Sequence, residues 1–192
     1  MNKRDPSEEV KEVFGNLLDK IGDQVLASKV EEVWKLAISN SVWPSLIEVP
    51  FGIIAPQISL VAHVKSVTEI TLAMASVRRS IYSDKFDNDI LISAGLLHDV
   101  GKVVEFCPDG KGGVVTAEPP AVNRHWLIGS AWAYQLGLPA EVIDIIASHT
   151  NQNRLPLTSP ESILLYMADM SDANLIRKKF GAPLLTDPLK DR

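Results

Sequence analysis

The chain is short of cysteine, because Cys107 is the only one among its 192 residues. A disulfide framework needs pairs of cysteines, and a zinc site of the thiolate type needs several. The sequence therefore excludes a fold held by internal disulfides and a metal site built on several thiolates.

Excess positive charge and long apolar runs are also missing. The chain has 19 lysines and arginines against 24 aspartates and glutamates, and its net charge is −5. Binding of a nucleic-acid polymer relies on a basic surface, so this balance argues against such a partner. The longest apolar run, 90–97, is too short to span a bilayer, and MNKRDPSEEVKEVF lacks the apolar stretch of a signal peptide. We expect a cytoplasmic protein with no membrane partner.

Helical periodicity is what the chain has in abundance, and it predicts an all-α fold. A pair of helices is expected before residue 40, followed by a segment rich in proline and glycine. Between the later helices, CPDGKGGVVTAEPPAVN is either a mobile loop or a small hairpin. We predict an N-terminal helical extension (1–50), a main helical domain (51–180) and an extended tail (181–192). The helices expected in the main domain cover about 57–82, 88–104, 124–136, 139–149 and 159–179.

The four histidines of the chain are distributed in a way that favours a metal site. His63, His98, His125 and His149 lie on, or at the end of, four different predicted helices, and Asp99 follows His98 directly. A lone histidine on an apolar helix is more often a core residue than a ligand. Here, however, every histidine is flanked by residues that face inward, and helical bundles build metal sites from such facing side chains. Imidazole and carboxylate ligands suit zinc, iron, manganese or cobalt.

In this order, the residues resemble the HD superfamily of metal-dependent phosphohydrolases. The pattern is His63, then His98-Asp99, His125, His149 and finally Asp169, and it spans roughly 58–177. "LLHDVGK" is close to the central motif of the family, and "HWLIGSAWAYQLGLPAEVIDIIASHT" follows its usual arrangement of two histidines around a Leu-Pro break.

The resemblance implies an HD-type helical bundle that holds divalent metal ions. Two ions are expected, with Fe, Mn, Co, Ni and Zn as candidates. By this resemblance, His63, His98, Asp99 and Asp169 bind the first ion, and Asp99 bridges to a second ion held by His125 and His149. Lys102 would face a substrate phosphate, so Asp99 and Lys102 are the candidate catalytic residues. Asp172 competes with Asp169 for the ligand role, and we favour Asp169 because it follows the apolar run directly.

Polar residues beside the proposed ligands are candidates for substrate binding. Arg124 precedes His125, and Thr150 and Arg154 follow His149. They are placed to bind a phosphate, sugar or base, and the alternative is that they cap helix ends.

The leading functional hypothesis is a hydrolase that cleaves a small phosphate ester, a nucleotide or dinucleotide, with a metal-activated water. The rival is a mixed-valent di-iron oxygenase of the same superfamily that cleaves a C–C or C–P bond. A third hypothesis is a non-catalytic nucleotide-sensing domain. Three roles are open to the N-terminal helical pair: packing on the bundle, covering the site or forming a homodimer.

Overall fold

The computed structural model describes residues 5–119, 124–150 and 155–186. This part of the chain is helical apart from one two-stranded hairpin, which confirms the predicted all-α class. In chain order, its elements are α1 (Pro6–Leu18), α2 (Gln24–Ser39), a 3-10 turn (Leu46–Glu48), α3 (Leu60–Tyr82), α4 (Asn88–Leu97), α5 (Lys102–Glu105), β1 (Phe106–Pro108), β2 (Val114–Thr116), α6 (His125–Gln135), α7 (Ala140–Ser148) and α8 (Pro160–Lys179).

The N-terminal pair, α1 and α2, shares its apolar core with the rest of the bundle. Trp34 on α2 is fully buried, and its indole N–H donates to the backbone oxygen of Leu96 on α4. The carboxylate of Asp89 accepts hydrogen bonds from the backbone N–H groups of Gly22 and Asp23. Because these bonds join the pair to α4, α1 and α2 pack on the bundle, the first of the three roles considered for them.

Helix α3 lies against both α4 and α8, and α7 packs against α4 and α6. This packing brings the predicted ligand-bearing helices together around one buried region. Within the described part of the chain, α3 is also the one helix long and apolar enough to cross a membrane. It buries its own His63 against α8, however, as a core helix does.

The predicted helix over 88–104 is wrong in its second half. Helix α4 ends at Leu97, residues 98–101 form a turn, and α5 begins at Lys102. At this turn two backbones approach closely, because a Cβ at Gly101 would collide with the backbone oxygen of His125. The turn, rather than a helix, therefore carries Asp99 at the centre of the bundle.

Hydrogen bonds hold three segments for which the sequence predicted no helix: the hairpin after α5, the loop before α3 and the segment after α8. Strands β1 and β2 pair antiparallel with Cys107 opposite Val115, so the small hairpin is the correct alternative for the segment after α5. Residues 51–58 form a loop closed by the bond from Phe51 N–H to the Ile58 oxygen. At the other end of the chain, 181–186 are non-helical, and Leu185 N–H donates to the side chain of Asn174 on α8.

Candidate metal centre

The predicted ligands converge because each lies at a helix end or on a helix face that points into the bundle. His63 is in the first turn of α3, and His125 begins α6, whereas His98 and His149 directly follow α4 and α7. All four imidazoles are at most 4% exposed, and Asp99 beside them is 1% exposed.

The six residues fall into two groups that share Asp99. The first group is His63, His98, Asp99 and Asp169, and the second is Asp99, His125 and His149. Within each group, the potential ligand atoms all lie within 4.8 Å of one another.

The two carboxylate oxygens of Asp99 divide between these groups. Its Oδ2 lies 3.1 Å from His63 Nε2 and 3.5 Å from His98 Nε2. Its Oδ1 lies 3.6 Å from His125 Nε2 and 3.5 Å from His149 Nε2. A carboxylate with one oxygen facing each group is placed to bridge two cations.

Backbone carbonyls fix the proton on two of the imidazoles. His98 Nδ1 donates to the Gly95 oxygen at 2.8 Å, and His149 Nδ1 donates to the Ile146 oxygen at 2.8 Å. Since a carbonyl only accepts, Nδ1 carries the hydrogen in both rings, and in the neutral ring Nε2 offers a lone pair toward Asp99.

Carboxylates fix the other two imidazoles. His63 Nδ1 donates to Asp172 at 2.7 Å, and Ser66 Oγ donates to the other oxygen of Asp172 at 2.5 Å. His125 Nδ1 donates to Glu105 at 2.7 Å. Imidazoles that bind metals commonly have such a partner on the far nitrogen, because it orients the ring and makes it more basic. Asp172 therefore lies behind His63 instead of replacing Asp169.

These buried groups have perturbed proton affinities. Burial lowers the pKa of His63, but hydrogen bonds with Asp169, Asp172 and Asp99 outweigh it and raise the pKa to about 10. Burial raises the pKa of Asp169, yet His63 opposes it and brings the pKa to about 2. Burial likewise raises the pKa of Asp99, whereas Lys102 and the surrounding imidazoles pull it well below its usual range. The site thus attracts positive charge, whether a proton or a metal ion supplies it.

The donor set fits a divalent cation for a further reason. Asp99 Oδ2 is buried, and Lys102 Nζ and His63 Nε2 lie 2.6 Å and 3.1 Å from it. His63 Nε2 and His98 Nε2 are 3.4 Å apart, and two lone pairs at that distance repel each other unless a cation lies near both. A buried carboxylate and converging nitrogens of this kind are stabilised when they share a cation.

A cleft of about 780 Å³ opens beside the two groups. Lys102, Arg124 and Thr150 line it, whereas Arg154 lies outside the described residues. Apolar side chains, a further cation and a carboxylate complete its wall, and none of them was among the predicted site residues. These additional lining residues include Phe51, Ile53, Ile54, Glu105, Phe106, Met170, Arg177 and Leu185.

The lining residues that were not predicted differ in how far the sequence could indicate them. Glu105 lies three residues after Lys102, within the same motif region, so its proximity to the site was open to inference. Phe51 belongs to an irregular segment, and its position against the rings of His63 and the ammonium of Lys102 follows from loop packing alone.

Comparisons with known proteins agree with this geometry. Residues 60–174, more than half of the chain, match the family model "HD domain". A protein of Methanocaldococcus jannaschii named "Dihydroneopterin 2′,3′-cyclic phosphate phosphodiesterase" is 32% identical over 113 residues. That match covers 59% of this chain and 44% of the relative, so the likeness spans less than half of the relative's length. No solved structure matches the chain significantly.

Proposed function

The chain belongs to the HD domain family, and from this premise we propose that it is a metal-dependent phosphohydrolase that cleaves small phosphate esters. One observation carries the proposal. Four Nε2 atoms and two carboxylates converge on two groups that share Asp99, while the Nδ1 atom of each imidazole is bonded away from the centre.

We assign the ligands as the two groups of the centre. His63, His98, Asp99 and Asp169 would hold one ion, and Asp99, His125 and His149 would hold the other. The absence of cysteine from the set favours Fe, Mn, Co, Ni or Zn bound through nitrogen and oxygen. Divalent cations bound there supply Lewis-acid chemistry, because they polarise a phosphoryl oxygen and lower the pKa of a water nucleophile.

The protein's own side chains orient the substrate and limit the access of water. Lys102 is 13% exposed in its side chain and lines the cleft, so its ammonium meets a phosphoryl group that enters beside Asp99. The ring of Phe51 lies 4.6 Å from Lys102 Nζ and restricts its position. Ile53 and Ile54, on the same loop as Phe51, add apolar side chains to the lining of the cleft.

The substrate class follows from the cleft and from the relative. A volume of about 780 Å³ with apolar walls accommodates a heterocycle in addition to a phosphate. We propose nucleotides or dinucleotides as the first substrate class. A 2′,3′-cyclic phosphate is the second, favoured by the phosphodiesterase name of the M. jannaschii protein. We further propose that the protein acts in the cytoplasm.

Hydrolysis by metal-loaded protein tests the proposal. Separate samples would be loaded with Mn²⁺, Co²⁺, Zn²⁺ or anaerobic Fe²⁺ and assayed with bis(p-nitrophenyl) phosphate, a nucleotide panel and cyclic nucleotides. We expect turnover that disappears in Asp99→Ala. Protein that holds two ions yet hydrolyses none of these esters, and consumes oxygen when loaded with iron, would overturn the hydrolase assignment in favour of an oxygenase.

A further inference from the structure

Besides Lys102, two arginines line the cleft, Arg124 and Arg177, and the proposed chemistry gives neither of them a role. Arg177 lies on α8 and lines the cleft together with Met170 and Ala173. Residues spaced by three and four positions share one face of a helix, so these three form a continuous stripe. The stripe begins next to Asp169 and ends at Arg177.

Arg177 and Lys102 line the cleft from different helices, α8 and α5. Arg177 follows Asp169 by eight residues, which corresponds to about 12 Å along the axis of α8. Lys102 Nζ, by contrast, lies 2.6 Å from an oxygen of Asp99. Ala173, between Asp169 and Arg177, is 3% exposed and belongs to one buried apolar cluster with Phe51 and Ala55, so the loop that carries Phe51 packs on this part of α8.

The guanidinium of Arg177 is held in place by the segment that follows α8. Its Nε donates to the Pro183 oxygen at 2.5 Å, and Asn174, one turn earlier, accepts from Leu185 N–H at 2.7 Å. The bond to Pro183 engages one of the five N–H donors of an arginine and orients the planar fork. Such a fork binds phosphate or carboxylate in a bidentate manner.

Stabilisation of the C-terminus of α8 does not account for Arg177. Lys178 and Lys179 occupy the same last turn and interact with the helix dipole equally well. Both are exposed, and neither lines the cleft. Of these three basic residues in the last turn of α8, Arg177 is the one that lines the cleft.

We infer that the cleft binds its substrate through two anionic groups, a phosphate beside Lys102 and a second phosphate or carboxylate on Arg177. This inference rests on the proposed function and narrows it to phosphate esters with a second anion. The part of the substrate between the two anions would cross the cleft past Met170 and the loop that carries Phe51. The net charge of the chain is −5, so the affinity for such a dianion comes from these local cations and not from the overall field.

Matched pairs of unreactive ligands test the inference by direct binding. Calorimetry on the full, Mn²⁺-loaded protein would compare linear alkylphosphonates with α,ω-bisphosphonates of the same chain length, from three to eight carbons. The two members of a pair differ only in the second anion. We expect the bisphosphonate to bind about tenfold more tightly at one preferred length, because the two cations are fixed in space.

Variants of the last turns of α8 identify the residue responsible. Arg177→Met should reduce the bisphosphonate preference to below about twofold, whereas Lys178→Met, which removes the same charge outside the cleft, should retain it. Asn174→Ala loosens the segment that holds Arg177 without a change of charge, so the preference should fall by less than in Arg177→Met.

Either of two outcomes would overturn the inference: equal loss in Arg177→Met and Lys178→Met, or no preference in the wild type. If neither phosphonate binds at all, the phosphate site beside Lys102 fails as well, and so does the proposed function.

Discussion

The metal centre consists of buried polar side chains, whereas the wall of the adjoining cleft includes exposed apolar side chains from loops. In the centre, the imidazoles are buried and hydrogen-bonded on the nitrogen that faces away from Asp99. In the wall, Ile53, Ile54 and Leu185 are 48%, 43% and 38% exposed and come from loops. A buried, fully connected polar set loses its function when one member is removed, because the remaining groups stay buried without partners. An exposed apolar wall tolerates substitution and instead changes which substrate fits.

The largest effect is expected at Asp99, where the two groups of the centre meet. Asp99→Ala removes an oxygen from both groups, so we expect loss of both ions and a fall in phosphodiester hydrolysis of about 10³-fold or more. Metal analysis of the purified protein, together with the hydrolysis assay, measures both effects. Asp109→Ala, in the exposed turn of the hairpin, is the matched control and should change neither. Retention of two ions in Asp99→Ala would show that the groups do not depend on a shared ligand.

The second-largest effect is expected in the stability of chelator-treated protein, which should depend on pH. The pKa of His63 is raised from 6.5 to about 10 in the folded chain, so its protonated form contributes stability that is fully present below pH 6.5. That contribution is lost as the pH rises through 10, and it should amount to on the order of a few kcal/mol. Urea midpoints measured in EDTA should therefore fall between pH 7 and 10.

His63→Asn provides the control for this titration, because it cannot acquire the charge. Its urea midpoint should vary less than that of the wild type over the same pH range. If both proteins lose stability in parallel, the titration of some other group dominates, and the centre is less tightly coupled than its geometry indicates.

Replacing the carboxylates that hydrogen-bond to His63 and His125 should have a smaller effect on metal affinity, and each replacement should act on one of the two groups. Asp172→Asn removes the charged partner of His63, and Glu105→Gln removes that of His125. Each is expected to weaken metal binding by roughly 10- to 100-fold, because the partner orients the imidazole and increases its basicity. Competitive titration with a chelator would measure the two affinities. Asp172→Asn should weaken one ion and Glu105→Gln the other, and equal weakening of both ions by either change would contradict the assignment of two groups.

The same contrast explains how far the sequence could predict this structure. The helices could be predicted, because helical periodicity is a local property of the sequence, and the six converging residues were predicted from the resemblance to the HD superfamily. The turn after Leu97 could not, since the close approach of Gly101 to the backbone of His125 at this turn joins segments that are distant in the sequence. Phe51 and Arg177 were missed for a related reason. Their positions in the cleft depend on a loop closure and a tail contact between segments that are distant from the motifs.

Phe51 lies where the wall meets the centre, and its replacement should have the smallest effect of this series. The centroid of its ring lies 4.6 Å from Lys102 Nζ and 4.5 Å from the centroid of the His63 ring. Phe51→Leu keeps an apolar side chain of similar size but removes the aromatic face that attracts the ammonium. We expect KM for a phosphodiester to rise about three- to tenfold, with a smaller change in kcat and no loss of metal.

Ile53→Ala is the appropriate comparison, because Ile53 lines the same wall as Phe51. It should raise KM only for substrates large enough to reach the loop, whereas Phe51→Leu should affect small and large phosphodiesters alike through Lys102. If Phe51→Leu instead lowers kcat and metal content together, the ring supports His63 more than it positions Lys102. In that case Phe51 would belong with the metal centre, and the residues that tolerate substitution would begin at the exposed Ile53 and Ile54.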